Sequence, residues 1–585
     1  MASEFTVVDY VVFAATILIS LSIGILFAVL DRRRKTNTPE DYFLAGRKSP
    51  TVPVMLSFIV TFQSSVMYLG FPAEGYVNGM MYGFYGLAKL ITLLFTAYFI
   101  VPVFHPLKLT TVYQYLNLRY GNNALRILAM VFGSVFQVFY FGTVTYGTCI
   151  ALEVVMGVPY WATIVIYTGV TTLYTSIGGI KAVIWTDVFQ FVVMCAGFVA
   201  VMAKTSYEVG GMSNIVEHAG DRFTHTDFRF DPRIRFSFWN VTFGSLTLSL
   251  YYSYTQSAMQ RVFATPTTKT ARRMYLLSVP LYSFLQVLPV IEGVFIFAYY
   301  AYKRCDIYGN GTVKNVNEIL PYAITDIFQN MPGLPGLFIS ALSSAAFSTL
   351  SSCLSSLSAI VYEDIIKVYN PQIDPSTSTT ISRFVTVGFG AVGMGVSFLI
   401  TSLPGSVISL FQSTMACMDG PTCAIFLLSA MFHRATTKGV LTGALCGAAV
   451  ALWLNIGKLL SGLPSDPKLP NGPMDNCSIA FTTPFFGNMS LSLNDSFTTL
   501  SPSTNNSEVE LSALDEIYRT SFILFSLIGF LVALVVGVIV SLFTSPPQDF
   551  DKRCLFSFRK HIVEELFGGN TEKVELVTMQ DLKTE

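Results

Sequence analysis

Leu56-Ser-Phe-Ile-Val-Thr-Phe-Gln-Ser-Ser-Val-Met-Tyr-Leu-Gly-Phe-Pro72 reads as a helix suited to lipid and then interrupted. The apolar run around it, 52–70, is long enough to cross a hydrocarbon core, which takes ~20 residues. Its centre nevertheless gathers Thr61, Gln63, Ser64 and Ser65, with Gly70 and Pro72 close behind. An interruption there frees backbone carbonyls that lipid cannot satisfy, so an ion, water or ligand must. The stretch predicts a broken spanning helix that faces something polar.

The rest of the chain supports a membrane setting. Of 585 residues, 52% are apolar and only 12% charged, about half the charge of an average soluble domain. Thirty-six basic residues balance thirty-six acidic ones, leaving no net field for nucleic acid. Apolar runs occur at 9–30, 52–70, 81–105, 125–152, 161–177, 183–204, 236–260, 275–302, 336–362, 384–402, 406–432, 439–461 and 520–544, thirteen candidate spans. The first is too long, and begins too late, for a cleaved signal, and Arg32–Lys35 follows rather than precedes it. It reads as a retained helix. The expected fold is an all-α polytopic membrane protein.

Basic residues set the orientation. With the N-terminus outside, six short inner loops carry 17 Lys/Arg in 86 residues, against 9 in 151 outside. That is the asymmetry the positive-inside rule requires. Asn310, Asn476, Asn488, Asn494 and Asn505 each open an Asn-X-Ser/Thr signal, and all fall in loops assigned outside. Asn240 opens another at the mouth of a span, too close to the membrane for use. The chain is therefore expected to run from an outer N-terminus to an inner C-terminus. Of nine cysteines, Cys305 and Cys477 sit in outer loops and are the candidates for a disulfide. The loop 462–519 reads as exposed and glycosylated, and the tail 545–585 as cytoplasmic without strong structure.

The ninth run is dense in hydroxyls, and Ser344, Ser348, Ser351, Ser352 and Ser355 share one helix face. Two readings stand: close packing of small residues, or a path for an ion or solute. Hydroxyls and carbonyls without a carboxylate cage suit a weakly held alkali cation, whereas divalent ions want carboxylates. No P-loop, TVGYG-like filter, nucleophile elbow or HExxH motif is present. A secondary transporter driven by an ion gradient is favoured over a pump, channel or enzyme. No cofactor is expected, and no His/Cys cluster suggests a bound metal.

Four stretches carry a family resemblance: Asp41-Tyr-Phe-Leu-Ala-Gly-Arg47, Tyr113-Gln-Tyr-Leu-Asn-Leu-Arg119, Gly178-Gly-Ile-Lys-Ala-Val-Ile-Trp-Thr-Asp-Val-Phe-Gln190 and Pro332-Gly-Leu-Pro-Gly-Leu-Phe338. They resemble the sodium/solute symporters, in the branch holding multivitamin, monocarboxylate and iodide transporters. The resemblance runs from about residue 9 to 460. It implies a LeuT-type core of two inverted five-helix repeats, here 52–204 and 236–432, joined by the outer loop 205–235. Residues 1–51 would add a first helix and basic inner loop, and 433–544 two peripheral helices.

The resemblance also implies a sodium site. Val60, Gln63 and Ala345 would contribute carbonyls, and Ser348 and Thr349 hydroxyls. Asp187 resembles an acid near the inner end of the sodium route; alternatively it caps an inner loop, paired with Lys181 or Arg119. Thr61 and Gln190 are candidates for a second sodium. The substrate cavity would draw on Ser64, Met67, Tyr68, Tyr140, Thr255 and Gln256, and Phe62-Gln-Ser-Ser-Val66 is most similar to the multivitamin relative. Met67 stands where relatives place Gln, Thr or Ala, and the register around Thr255-Gln256 is shifted.

Lys89, Glu292 and Asp419 are intramembrane charges, expensive unless they face the bundle or water. Lys89 either attracts a substrate carboxylate or pairs with Asp419 or Glu292, and Asp419 is alternatively a proton-responsive group. The expected function is a plasma-membrane sodium symporter for a small organic anion, either a monocarboxylate or a vitamin such as biotin or pantothenate. Its partners would be sodium as co-substrate, the anionic solute and the bilayer. Competing readings are an iodide or other inorganic-anion symporter, and a transport-dead sensor or channel partner subunit. Oligomeric state is not legible.

Overall fold

The apolar runs fold as helices in a computed structural model that describes residues 5–33, 38–402, 407–461, 468–477, 513–545 and 551–557. In chain order the principal helices are α1 (Val7–Arg33), α2 (Thr51–Thr61), α3 (Ser65–Asn78), α4 (Tyr85–Phe95), α5 (Ala124–Met156), α6 (Tyr160–Val209) and α7 (Phe238–Tyr254). There follow α8 (Gln256–Phe263), α9 (Thr268–Tyr302), α10 (Leu334–Ile360), α11 (Pro375–Ile400), α12 (Val407–Met431), α13 (Thr437–Leu460) and α14 (Leu524–Phe543). Among the described residues, ten helices are long and apolar enough to cross a membrane, against thirteen expected from the sequence.

The difference has three local causes. The second run is cut at 62–64 into α2 and α3, and α3 then continues with the third run as one helical path, Ser65–Leu107. The fifth and sixth runs merge into α6, 50 residues long, which bends at Gly179. Gly179 has φ 58 and ψ −165, and a Cβ there would lie 2.9 Å from the Tyr42 backbone oxygen. Only glycine suits that geometry, which gives the Gly178-Gly179 pair a structural reason. The seventh run is cut at Thr255, whose extended backbone and hydroxyl cap the amide of Ala258, leaving α7 at 17 residues.

Helix α10 is the hub. It is buried from Phe338 to Ile360 and packs on α1, α5, α6 and α11. Its small side chains permit the close approach that membrane helices use in place of a hydrophobic driving force. Several hydroxyls bond back into their own helix, Ser340 to the Gly336 carbonyl and Ser356 to that of Ser352, each at 2.7 Å. Helices α3 and α9 touch backbone to backbone, since a Cβ on Gly75 would lie 2.2 Å from the Val290 oxygen, and one on Gly293 2.0 Å from that of Pro72. Helices α13 and α14 pair through Gly439, Gly443 and Gly447 against Gly529, Ala533 and Gly537.

The two ends of the bundle are tied differently. At one end Cys305 and Cys477 form a disulfide with Cα atoms 4.8 Å apart. Beside it the Asp306 carboxylate accepts from the Tyr76 hydroxyl at 2.6 Å and from the Gly472 amide at 2.7 Å. At the opposite end the tail is not free. The Tyr115 hydroxyl donates to the Cys554 carbonyl at 2.9 Å, the Phe556 amide donates to the Ala430 carbonyl at 2.9 Å, and Cys554 is buried. The expectation of a tail without structure is therefore corrected for 551–557, because Cys554 and Phe556 bury apolar surface there.

Candidate functional site

The predicted interruption lies in the middle of the bundle. Helix α2 stops as Phe62 turns to φ −108, ψ 3, and the chain restarts from Ser64, extended at φ −90, ψ 175. A helix end leaves carbonyls without intrahelical partners. Here α10 supplies the facing surface: the Thr349 hydroxyl lies 2.9 Å from the Thr61 carbonyl and 3.2 Å from that of Ala345. Val60, Gln63, Ala345, Ser348 and Thr349 are all buried on these two facing segments. The Gln63 side chain turns away and donates to Gln286 of α9 at 3.1 Å, leaving its backbone at the break.

Below the break, toward the tail end, hydroxyls lead to a buried ion pair. Ser348 donates to Asp187 Oδ1 at 2.6 Å, and Ser57 to Oδ2 at 2.5 Å. Arg261 Nη2 lies 3.0 Å from Asp187 Oδ2, with both side chains fully buried. Arg261 also donates to Ser57 Oγ, to the Ser257 carbonyl and to Ser352 Oγ at 2.7–2.8 Å. Thr61 Oγ1 lies 3.1 Å from Ser352 Oγ and donates to the Ser57 carbonyl. The serine face of α10 thus does more than pack. Some hydroxyls pack, while Ser348 and Ser352 reach the charged pair.

The expected partners of Asp187 are corrected. Lys181 pairs with Asp41 at 3.8 Å, and Arg119 donates to the carbonyls of Ser429 and His433. Arg261 takes the place assigned to them, and sequence reading missed it because the seventh apolar run, 236–260, stops one residue short of it. The signal available was the amphipathic Gln256-Ser-Ala-Met-Gln-Arg261 directly after a span. Gln190 is fully buried, and neither polar atom of its amide has a hydrogen-bond partner.

A narrow cavity with room for about one water adjoins the start of α3. It is lined by Ser64, Met67, Tyr140, Tyr252, Phe411 and Gln412, with Val66, Phe71, Tyr82, Tyr85, Leu248 and Ile408 completing the wall. Four of these are tyrosines, so an apolar body meets several hydroxyls. Tyr68 is not in the lining; its ring packs on Phe198 and Phe338. Thr255 and Gln256 are not there either. Thr255 caps α8, and Gln256 grips the 110–112 loop, accepting from the Val112 amide and donating to the Thr110 carbonyl at 2.9 Å. The break in the seventh run carries both residues to the tail end.

Lys89 stands behind the cavity wall. Its ammonium lies 4.8 Å from the Tyr252 ring, 4.6 Å from Tyr282 and 6.0 Å from Tyr85. Neither expected ion pair forms: Glu292 is fully buried with both oxygens lacking a hydrogen-bond partner, and Asp419 accepts from the Gly420 amide at 2.5 Å. Aromatic faces, rather than a carboxylate, accommodate the Lys89 charge. Asn310 and Asn476 are exposed beside the disulfide, while Asn240 is buried with its amide bonded to the carbonyls of Asp231 and Ile234. Asn488, Asn494 and Asn505 lie outside the described residues. Among the described residues, no group of three or more His, Cys, Asp or Glu is placed to hold a metal ion.

A broken helix facing a hydroxyl pair beside an aromatic cavity is the arrangement that the comparisons with known proteins bear on. The model of the sodium:solute symporter family matches residues 42–447. The chain belongs to the sodium:solute symporter family. Among relatives, sodium-coupled monocarboxylate transporter 1 of Xenopus laevis is 34% identical over 595 residues, covering 100% of this chain and 94% of the relative. The sodium-dependent multivitamin transporter of Oryctolagus cuniculus is 33% identical, covering 93% and 83%. The fold is shared with a sodium-coupled sialic acid symporter in a substrate-bound outward-open state, at TM-score 0.73 and 22% identity, covering 94% of this chain and all of that one. As a family member the chain is a multi-pass membrane transporter and not an enzyme, consistent with the plasma-membrane location expected from the sequence.

Proposed function

We propose that this chain is a sodium-coupled symporter that imports a small organic anion, a monocarboxylate or a vitamin carboxylate, by alternating access. The observation that carries the reading is the Thr349 hydroxyl seated between the Thr61 and Ala345 carbonyls at the helix break. Val60, Gln63 and Ala345 through carbonyls, with Ser348 and Thr349 through hydroxyls, hold sodium there. Thr61, Gln190 and Asp187 serve its route or a second ion. Sodium enters from the disulfide end, which faces outside and bears the glycans, and leaves past Asp187 when Arg261 releases it. The chain crosses thirteen times, ten of them in two inverted five-helix repeats. A helix of 50 residues spans ~75 Å, more than twice a hydrocarbon core, so α6 makes two crossings about Gly179.

The substrate sits against Ser64, Met67 and Tyr140, and Lys89 draws its carboxylate through a gap opened between Tyr85 and Tyr252. Sodium binding favours the outward-open state, and coupling arises from differential binding to the two states. Each charge moving down 100 mV supplies about 2.3 kcal/mol.

The test is uptake of labelled lactate, nicotinate, biotin, pantothenate and iodide in sodium and in choline medium. Sodium-dependent uptake of an organic acid, weakened in Thr349→Ala, supports the reading. Uptake of iodide alone replaces the substrate class, and absence of any sodium-dependent flux despite surface expression removes symport of these solutes. In Lys89→Gln the half-saturating concentration of the anion should rise; unchanged kinetics eliminate Lys89 as its attractor.

A further inference from the structure

A second polar cavity lies between α7, α12 and α14, lined by Ser245, Leu248, Gln412, Asp419 and Ser526, with Gly244, Phe522 and Ile523. Two close helix contacts build it. A Cβ on Gly420 would lie 2.3 Å from the Ser526 carbonyl, and one on Gly244 would lie 2.6 Å from that of Ile523. Glycine at both positions draws the start of α14 onto α7 and α12. Asp419 is 1% exposed and Ser245 1%. The Ser245 hydroxyl and the Gln412 amide oxygen are buried there without a hydrogen-bond partner, and the Ser526 hydroxyl faces the Asp419 carboxylate.

We infer that this cavity is a second monovalent-cation site, with Asp419 as its charged ligand and Ser245, Ser526 and the Gln412 oxygen as neutral ones. The argument is electrostatic. A carboxylate away from water must take up a proton or a cation, and the partnerless neutral oxygens in the cavity of Asp419 favour a cation; among the described residues no basic side chain lies within 4 Å of it. One negative charge among neutral oxygens matches a single positive charge. A divalent ion wants more carboxylates, and a soft metal wants sulfur or imidazole. Oxygens without a partner are the groups a desolvated alkali cation requires.

The site communicates with the first cavity. Leu248 and Gln412 line both. The Gln412 amide donates to the Tyr82 hydroxyl at 2.7 Å, so its nitrogen holds the aromatic wall while its oxygen is open to the cation. A cation at Asp419 therefore fixes the Gln412 side chain and, through it, the Tyr82 face of the first cavity. It also recruits α14, a helix outside the two repeats.

The experiment needs no solute. Binding of radioactive sodium is measured on the purified full chain in lipid nanodiscs, for wild type, Asp419→Asn, Thr349→Ala and the double variant. Two equivalents are expected in wild type, with one lost in Asp419→Asn, the other weakened about tenfold in Thr349→Ala, and only that weakened class left in the double variant. Unchanged capacity in Asp419→Asn overturns the site. A single equivalent in wild type, weakened in Thr349→Ala, also overturns it while leaving the proposed symporter intact, whereas no binding in wild type removes both. Should Asp419→Asn fail to fold, the Ser245→Ala/Ser526→Ala pair keeps the carboxylate. It should weaken one class of sodium binding several-fold, and wild-type affinity for both classes refutes the proposal.

Discussion

Thr349 contributes one oxygen to two tasks, holding the end of α2 against α10 and offering a ligand beside two carbonyls. Thr349→Ala removes that ligand, which at ~1–1.5 kcal/mol should raise the sodium concentration for half-maximal uptake by about tenfold. Thr349→Ser should restore most of it. Arg261 and Asp187 are less forgiving. Removing one partner of a buried pair leaves the other charge uncompensated, costing about 3–5 kcal/mol. Arg261→Met should thus lower surface expression and melting temperature sharply, and Arg261→Met with Asp187→Leu should recover part of the loss. Equal melting of wild type and Arg261→Met would contradict this. The hydroxyl pair was legible because Ser348-Thr349 is a local motif. Arg261 was not, because its burial depends on α8 folding back under the break, which spacing along the chain does not encode. Lys89 misled for a related reason. Sequence counts charges and so suggests a carboxylate partner, whereas the protein answers this one with three aromatic faces.

At the scale of elements, polar centres and glycine pairs were the readable punctuation. Thr61-Phe-Gln-Ser64 marked the cut between α2 and α3, where hydroxyls and amides compete with the helix for backbone groups. Windows of apolar composition could not show that two runs join across Gly179, or that Thr255 ends α7 early, since both depend on backbone conformation at one residue. Gly179 is the sharper test of the bend. At φ 58, ψ −165 a β-branched side chain is strained by ~1–3 kcal/mol and meets Tyr42. Gly179→Val should therefore reduce folded protein at the membrane, whereas Gly169→Ala in the same helix, with ordinary φ and nothing within 4 Å of its Cβ position, should lose far less. Fluorescence-detected chromatography of detergent extracts separates the two outcomes.

Across the whole molecule, the disulfide closes a span of 172 residues, from the end of α9 to a segment between α13 and α14. Constraining so long a loop limits the unfolded chain, so Cys305→Ser should melt earlier than wild type, as should wild type treated with a membrane-impermeant reductant. Asn310→Gln should shift the protein's mobility on a gel if its signal is used, without altering transport. The Tyr76–Asp306–Gly472 bonds at the same end have a mechanical consequence. They rivet the disulfide end of α3 to the end of α9 and to the 468–477 strap, and Gly75 and Gly293 leave no play beneath. Whatever motion exposes the break must pivot at 62–64, with α2 and α3 turning as separate levers. A sugar on Asn310 or Asn476 would then ride on the far lever like a flag on a semaphore arm, reporting its swing to anything that binds glycans.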